Sequence, residues 1–291
     1  MSSGFFSDEI IFDKRVTVID ALDDPRLDPY RNLRERTLRG ESIFIAEGAL
    51  VVERLLRSRF EVKSVLTTRK ESGFGECFSL IPEDLPIYYV DERSAANQLL
   101  GYEFHQGILA LGQRSVLPTL TEGMAAFFRR EDSADARRSW IVLPDATKPD
   151  NLGLVFRCAA ALGAEAVVLG ECCCDPFSRR ALRVSMGGVL QTPIYQARDL
   201  LSEIKEVQAL WKVPFYATVL DDEAMSLYEY GKKVVENKHA AFVFGNEYTG
   251  LTHEQIAACD GKITIPMSPD VDSLNLGVSV GIFLYEFNRF D

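Results

Sequence analysis

The sequence predicts an α/β protein of two units, the second of which is built on a parallel sheet. Short apolar runs alternate with segments whose apolar positions recur at helical spacing. In the second half of the chain these runs are continuously apolar, as in strands that are buried on both faces. The length of 291 residues corresponds to about two domains of ordinary size.

The composition is that of a globular protein. Hydrophobic residues make up 47% and charged residues 26% of the chain, which excludes wholesale disorder. No apolar run approaches the roughly 20 residues that a membrane-spanning helix needs. The N-terminus lacks the positive segment and apolar stretch of a secretory signal. We therefore expect a cytoplasmic protein with no membrane partner.

The chain has a net negative charge that is unevenly distributed along the sequence. With 43 acidic and 32 basic residues the net charge is −11, which argues against a generic nucleic-acid binder that uses its whole surface. Two arginine clusters reverse this sign locally, and each is either a solvated surface or a local RNA contact. The candidate RNA-binding residues are Arg31, Arg34, Arg36, Arg179, Arg180 and Arg183.

The six cysteines do not suggest a metal site. No CxxC pair is present and only three histidines occur, so we expect no closed zinc site. Three cysteines are consecutive, at residues 172–174. We interpret them as the half-buried end of a strand in a reducing compartment, with a redox role as the minor alternative.

The first unit is predicted from residue 41 to residue 114, after a polar extension at residues 1–40. Its predicted strands are residues 42–46, 62–67, 87–90 and 107–112, and its helices are residues 47–57 and 91–100. Asp91 is expected to cap the second helix and Gly101 to end it. Residues 115–138 are polar and highly charged, which predicts a linker with room for a helix.

The second unit is predicted from residue 139 to residue 291. Its predicted strands are residues 139–143, 166–169, 215–220, 240–244 and 262–265, and its helices are residues 151–162, 200–211, 249–259 and 273–290. Ligands of open α/β sheets bind outside the carboxyl ends of the strands, so the loops that follow these strands are the places to examine.

The loop after the first of these strands leads to Asn151, Gly153 and Arg157. Asn151 can cap the following helix, and Gly153 permits close approach of a ligand or another backbone segment. Arg157 stands between Phe156 and Cys158 on a mostly apolar helix. Either an anion such as a phosphate pairs with this arginine, or it is a solvated surface residue.

Two later loops carry further polar residues. A buried strand ends at Gly-Asn-Glu, where Glu247 either faces a ligand or favours the dipole of the next helix. The last loop, residues 265–275, returns to Ser273, which we expect to cap the closing helix. Small residues on one side of this helix let another segment approach closely, either at a subunit interface or in the core. These residues are Gly277, Ser279 and Gly281.

Several common enzyme classes are excluded or disfavoured by missing motifs. The chain has no GxGxxG dinucleotide fingerprint, which disfavours a nucleotide-dependent oxidoreductase, and no Walker A motif or GxSxG elbow. His105, His239 and His253 are scattered along the chain and make no evident triad. The chain therefore offers few of the residues that usually act as general bases.

Taken together and in this order, the three loops form a specific pattern. It reads N-x-G-x-x-x-R at residues 151–157, F-G-N-E-x-x-G-L at 244–251 and I-P-M…S-L-N at 265–275. The chain thus resembles the SpoU-type 2′-O-ribose RNA methyltransferases of the SPOUT class. Residues 175–188 resemble the link between that family's first two motifs. More loosely, the first unit looks like the family's N-terminal RNA-binding domain, which is akin to a ribosomal protein.

The resemblance implies a fold, a cofactor and partners. The C-terminal parallel sheet would be tied in a trefoil knot that binds S-adenosylmethionine through backbone groups of the three loops. The protein would be a homodimer that methylates a ribose 2′-hydroxyl of rRNA or tRNA without a metal. A catalytically silent RNA-binding module on the same fold is the alternative, although the polar motif residues are intact.

The resemblance also implies roles for single residues. Arg157 would orient and activate the 2′-hydroxyl; because a guanidinium pKa exceeds about 12, we expect it to hold the hydroxyl and a neighbouring phosphate. The implied catalytic set is completed by Asn151, Glu247, Ser273 and Asn275. The implied cofactor contacts are Thr218, Gly245, Ile265, Met267 and Leu274.

Overall fold

The computed structural model describes residues 14–33, 38, 40–68, 75–134, 137–233, 238–268, 270–271 and 273–288. The chain forms two compact units. The first comprises Met1–Ser115 together with Phe177–Leu190, and the second comprises Val116–Pro176 together with Gln191–Asp291. The chain therefore leaves the second unit once and returns to it.

The first unit contains a mixed five-stranded sheet. Its strands are β1 (Val16–Val18), β2 (Ile43–Glu47), β3 (Val62–Thr68), β4 (Ile87–Val90) and β5 (Ile108–Gln113). Their order is β1-β4-β3-β5-β2. Strand β4 runs parallel to β1 and β3, and β5 runs antiparallel to β3 and β2. The predicted mixture of strands and helices is confirmed, with β1 as an unpredicted edge strand.

Three helices are described in the N-terminal part of this unit: α1 (Ala49–Leu56), α2 (Gly75–Phe78) and α3 (Arg93–Leu100). Gly101 ends α3 with a φ of 76°, as predicted. The N-cap is Glu92, however, because the Asp91 carboxylate accepts a hydrogen bond from the Tyr89 hydroxyl instead. The segment predicted as an extension contributes a 3-10 helix, Pro25–Tyr30, whose Leu27 and Tyr30 are fully buried.

Two short helices from the middle of the chain complete the first unit. They are α6 (Arg179–Val184) and α7 (Gly188–Gln191), and only the last residue of α7 belongs to the second unit. Phe177 packs against Phe44, with ring centroids 5.0 Å apart. Arg179 pairs with the buried Glu47 carboxylate at 2.7 Å and lies over the Tyr102 ring at 4.2 Å. Local sequence could not predict this placement, because these partners lie far away in the chain.

The second unit is built on a seven-stranded sheet in which all neighbours are parallel. Its strands are β6 (Arg138–Leu143), β7 (Ala166–Leu169), β8 (Ile194–Gln196), β9 (Phe215–Thr218), β10 (Met225–Ser226), β11 (His239–Phe244) and β12 (Gly261–Thr264). Their order is β10-β12-β9-β11-β6-β7-β8. The predicted parallel sheet is confirmed; β8 and β10, with three and two residues, were too short to predict.

Helices cover both faces of this sheet. They are α4 (Leu120–Phe128), α5 (Pro149–Leu162), α8 (Leu200–Trp211), α9 (Leu227–Lys233), α10 (His253–Ala257) and α11 (Leu276–Asn288). On β11, Ala241 and Val243 face the core formed with α4 and α8. Phe242 points the other way and meets Phe283 of α11, with ring centroids 5.3 Å apart. This double coverage explains the continuously apolar strands.

Helix α4 lies in the segment that the sequence predicts as a linker. Thr119 and Glu122 form a capping box at its start. Leu120, Met124 and Phe127 are buried in the core of the second unit. The segment therefore contributes to the core, and its apolar residues at helical spacing are the signal for that role.

Helices α5 and α11 pack closely because α11 has small residues. A Cβ on Gly277 would lie 2.5 Å from the Cβ of Leu154, and one on Gly281 would lie 3.4 Å from the Cys158 sulfur. Core packing, one of the two roles considered for these glycines, is thus confirmed. The trefoil knot that the resemblance implies stays a prediction.

The described ranges contain neither a candidate membrane span nor a candidate metal site. No helix within them is long and apolar enough to cross a membrane. Within the same ranges, no group of three or more His, Cys, Asp or Glu side chains could hold a metal ion.

Cys173 is a structural residue of the loop after β7. Its thiol donates to the Leu143 carbonyl at 3.1 Å and accepts from the Ala146 N–H at 3.3 Å. Burial raises the pKa of the Cys173 thiol to about 11, so it stays protonated, and hence unreactive, below that pH. Cys172 next to it is exposed.

We therefore expect iodoacetamide at pH 8 to label Cys172 and to leave Cys173 unmodified in the native protein. Mass spectrometry of the digested protein measures both sites. The control is the same reaction in denaturant, where both thiols should react. Equal labelling of the two cysteines in the native protein would contradict this assignment.

Candidate functional site

The site lies at the carboxyl edge of the parallel sheet, where the strand order changes direction. From β6 the sheet continues through β7 and β8 on one side and through β11 and β9 on the other. Loops that leave two neighbouring strands in opposite directions open a crevice between them. The loops after β6, β9, β11 and β12 meet at this edge. The second and third motif segments follow β11 and β12, and the first lies on α5, which follows the loop after β6.

A cavity of about 620 Å³ lies beside these loops. Its volume is within the usual range for a small-molecule site. The loops after β9, β11 and β12 and the start of α11 line it. The five residues that the resemblance implies as cofactor contacts all line this cavity; they are Thr218, Gly245, Ile265, Met267 and Leu274. Their roles as contacts remain predictions.

The loop after β11 folds tightly back on itself. Asn246 and Gly250 exchange backbone hydrogen bonds of 3.1 and 2.9 Å, and Gly250 has a φ of +67°. A Cβ on Gly245 would lie 2.4 Å from the carbonyl carbon of Gly250. Both glycines of the F-G-N-E-x-x-G-L motif are therefore required by the backbone. Because of this turn, the following helix begins later than predicted. It spans His253–Ala257, whereas the sequence predicts residues 249–259.

Three polar residues from three different motifs form one hydrogen-bonded network. The Asn151 amide donates to the Glu247 carboxylate. Asn275 in turn donates from Nδ2 to Asn151 Oδ1 at 3.0 Å. Asn151 is 96 residues from Glu247 and 124 residues from Asn275, so the fold and not the local sequence brings these side chains together.

Two expected helix caps are wrong. Asn151 lies inside α5, which begins at Pro149 after Lys148, and its side chain is used in the network. Ser273 does not cap α11, which begins at Leu276. Asn275 does so instead, because its Oδ1 accepts the Gly277 N–H at 2.9 Å. Ser273 lines the cavity.

The structure adds Asp145 to the site. It is the second residue after β6, and the Asn246 amide donates to its backbone oxygen and to its Oδ2, each at 3.2 Å. These bonds tie the loop after β6 to the loop after β11. The other Asp145 oxygen and Glu247 Oε2 are buried without a hydrogen-bond partner in the described parts of the chain. The feature of the sequence that indicates a role for Asp145 is its position as an acidic residue just after a buried strand.

Arg157 is exposed on α5. Over the described ranges, no side chain or backbone group forms an ion pair or hydrogen bond with its guanidinium. The sequence predicts that an arginine here either pairs with an anion or is solvated. No protein anion pairs with it in the described chain, so its charge is available to a ligand.

The candidate RNA-binding arginines differ in their surroundings. Arg31 forms an ion pair with Asp28 at 2.8 Å, and Arg179 forms one with Glu47. Arg180 and Arg183 are exposed on α6 of the first unit. Arg34 and Arg36 lie outside the described residues.

Residues 138–285 match the model of the SpoU rRNA methylase family. This chain belongs to that family. The matched range runs from β6 into α11, so it includes the sheet, the cavity and the polar network. The family predicted from the three motifs is confirmed, and with it the prediction that the chain is a methyltransferase.

Members of the SpoU family resemble the chain over most of its length. An uncharacterized tRNA/rRNA methyltransferase of Mycobacterium bovis is 32% identical over 92% of this chain and 90% of its own length. A 23S rRNA (guanosine-2′-O-)-methyltransferase of Acinetobacter baylyi is 31% identical over 68% of this chain and 76% of its own.

A solved structure shares the fold. The AdoMet-bound rRNA methyltransferase from Sinorhizobium meliloti aligns with a TM-score of 0.73 at 23% sequence identity. The alignment covers 95% of this chain and 98% of that one. Both units of the SpoU-family chain therefore have counterparts in a known architecture.

Proposed function

We propose that this protein transfers a methyl group from S-adenosylmethionine to a ribose 2′-hydroxyl of rRNA or tRNA. The observation that carries the proposal is one cavity lined by the second and third motif segments, to which the hydrogen bonds of Asn151 with Glu247 and Asn275 join the first motif. The names of the relatives from Mycobacterium bovis and Acinetobacter baylyi support the choice of RNA and of the 2′-hydroxyl.

The cavity suits S-adenosylmethionine. Gly245 lines the cavity, and its lack of a side chain lets the backbone of Gly250 and Leu251 pack against it and shape the cavity wall. Ile265, Met267 and Leu274 supply apolar surface for the adenine and methionine parts, together with backbone groups of their loop. The Thr218 hydroxyl donates to the Val243 carbonyl at 3.0 Å, so its oxygen can only accept from the cofactor. The cofactor supplies the activated methyl group.

Arg157 serves as the group that holds the acceptor. Its guanidinium stays charged at any physiological pH and therefore does not act as a base. It orients the 2′-hydroxyl and a neighbouring phosphate by charge-assisted hydrogen bonds, and the hydroxyl proton passes to the phosphate. Asn151, Glu247, Ser273 and Asn275 complete the polar site.

The RNA contact is local, because the chain as a whole is acidic. With a net charge of −11, general attraction to phosphate does not hold RNA on the surface. Arg180 and Arg183 are the exposed candidates in the first unit. The first unit therefore selects a structured RNA through few charges and through shape.

The protein acts as a homodimer that associates through the outer face of α11. Apolar side chains at helical spacing are exposed on this face and on the turn before it: Leu274, Val278, Ile282 and Tyr285. A continuous exposed apolar stripe of this kind is typical of an association surface. A second copy of the chain is the partner, since a twofold axis pairs the stripe with itself.

The double variant Val278→Glu, Ile282→Glu is expected to be monomeric, because it would place charges in the desolvated centre of this interface. We expect the dimer Kd to rise at least about 30-fold, as for the loss of a hot-spot contact. Sedimentation equilibrium measures this change. Leu210→Glu, an equally exposed apolar position on α8, is the control and should stay dimeric. A dimeric double variant, or a monomeric wild type, would contradict the proposal.

Purified protein incubated with tritiated S-adenosylmethionine and unmodified rRNA and tRNA transcripts tests the proposed activity. We expect label in one of these RNA classes. The alternative, a silent RNA-binding module, predicts RNA binding without incorporation. Absence of transfer despite measurable cofactor binding would refute the proposed activity.

A further inference from the structure

Tyr248 presents an exposed aromatic ring at the cavity. Its side chain is 76% exposed, although it lines the cavity together with the predicted cofactor contacts. A tyrosine ring usually stabilises the fold by burying its large apolar surface, and the exposed ring of Tyr248 does not do so. The position at the rim of the cavity indicates that a ligand covers the ring.

The loop holds Tyr248 in a fixed place. Its N–H donates to Asn246 Oδ1 at 2.9 Å, and Asn246 is itself bound to Asp145. The Asn246–Gly250 hydrogen bonds close the turn on either side. The backbone that carries the ring is therefore ordered before a ligand binds, and stacking has to fix only the side-chain torsions of Tyr248.

A cation covers one face of the ring. The Lys148 ammonium lies over the Tyr248 ring, 4.2 Å from its centroid, which leaves the opposite face for a ligand. Interaction with Tyr248 raises the pKa of Lys148, so the ammonium keeps its charge at neutral pH. In the described parts of the chain, no other ring or cation lies against Tyr248. An aromatic face next to a single positive charge matches a nucleotide, which offers a flat base and a phosphate.

We propose that Tyr248 stacks on the nucleobase of the nucleotide whose ribose is methylated, and that Lys148 contacts the adjacent phosphate. The inference rests on the proposed function. The base is joined to the ribose carbon next to the one that bears the 2′-hydroxyl, so it must lie at the cavity mouth when that hydroxyl reaches the site. The cofactor adenine is the less suitable occupant, because it would fill the cavity interior whereas the ring is mostly exposed.

Steady-state transfer to unmodified rRNA and tRNA transcripts tests this role. We expect Tyr248→Ala to raise the KM for RNA about 10-fold, the loss that one base–aromatic stack predicts. The kcat and the Kd for S-adenosylmethionine should stay within about twofold of wild type, since stacking contributes equally to ground and transition states. Tyr248→Phe and Tyr248→Trp should retain the wild-type KM. Tyr228→Ala, at a tyrosine 57% exposed that does not line the cavity, is the matched control.

Lys148→Gln supplies a second measurement. The slope of log KM for RNA against log salt should decrease by about 0.7, the value for one phosphate contact on a single strand. An unchanged slope would remove Lys148 from the proposal.

The outcomes separate the inference from the proposed function. If the wild type transfers methyl groups and Tyr248→Ala has the same KM for RNA, the stacking role is wrong and the activity stands. An equal loss of cofactor affinity in Tyr248→Ala would place the ring on adenine and also overturn the inference. If the wild type transfers nothing to either RNA class, the proposed function fails and the inference fails with it.

Discussion

Arg157→Ala is expected to slow methyl transfer severely and to leave the affinity for S-adenosylmethionine unchanged. The guanidinium lies on α5 without a protein partner in the described ranges and outside the set of residues that line the cavity. Its removal therefore takes away the group that orients the ribose and the phosphate but spares the cofactor. Loss of one preorganised charged donor lowers kcat by about 100-fold or more.

Isothermal titration with S-adenosylmethionine and single-turnover transfer measure the two properties of this variant separately. Arg157→Lys should restore only a small part of the rate, because an ammonium cannot make the paired contacts of a guanidinium. Arg198→Ala, at another exposed arginine of the same unit, is the control. Normal turnover in Arg157→Ala would show that this residue is only a solvated surface charge.

Gly245→Ala is expected to weaken cofactor binding strongly. The added methyl group would lie 2.4 Å from the Gly250 carbonyl carbon and 2.5 Å from the Leu251 nitrogen, both of them backbone atoms. The turn would have to open, which displaces the lining residues Gly245 to Leu251 from the cavity. Overpacking of this kind costs about 1–3 kcal/mol, which corresponds to a cofactor Kd raised roughly 10- to 100-fold.

The matched control for this variant is Gly281→Ala. There the added methyl group would lie 3.4 Å from the Cys158 sulfur, an ordinary contact that a flexible side chain can accommodate. Isothermal titration should show wild-type affinity for this control and a strongly weakened affinity for Gly245→Ala. Equal affinities in the two variants would mean that the turn after β11 does not shape the cofactor site.

The sequence was most informative where local chemistry decides the structure. Continuously apolar strands predicted the parallel sheet, because helices on both faces exclude polar residues from it. Gly101 ended its helix as predicted, since a left-handed residue is needed there.

Residues with long-range partners were the ones that the sequence described poorly. Asn151 has the residue type of a cap, yet its amide meets Glu247, which lies 96 residues away. Arg179 belongs to an arginine-rich cluster, yet it pairs with Glu47 and joins the first unit. Asp91 was also a plausible cap, but the Tyr89 hydroxyl binds its carboxylate. In each case a distant or competing partner outweighs the local preference.

The position of the transferred methyl group is the most direct test of the proposed function. RNA labelled by the protein and tritiated S-adenosylmethionine is digested to nucleosides and separated by chromatography. We predict that the label appears as a 2′-O-methyl nucleoside and that the adjacent phosphodiester resists alkaline hydrolysis, which requires a free 2′-hydroxyl. Label on a base, or no label in either rRNA or tRNA, would contradict the proposal that this chain methylates a ribose 2′-hydroxyl.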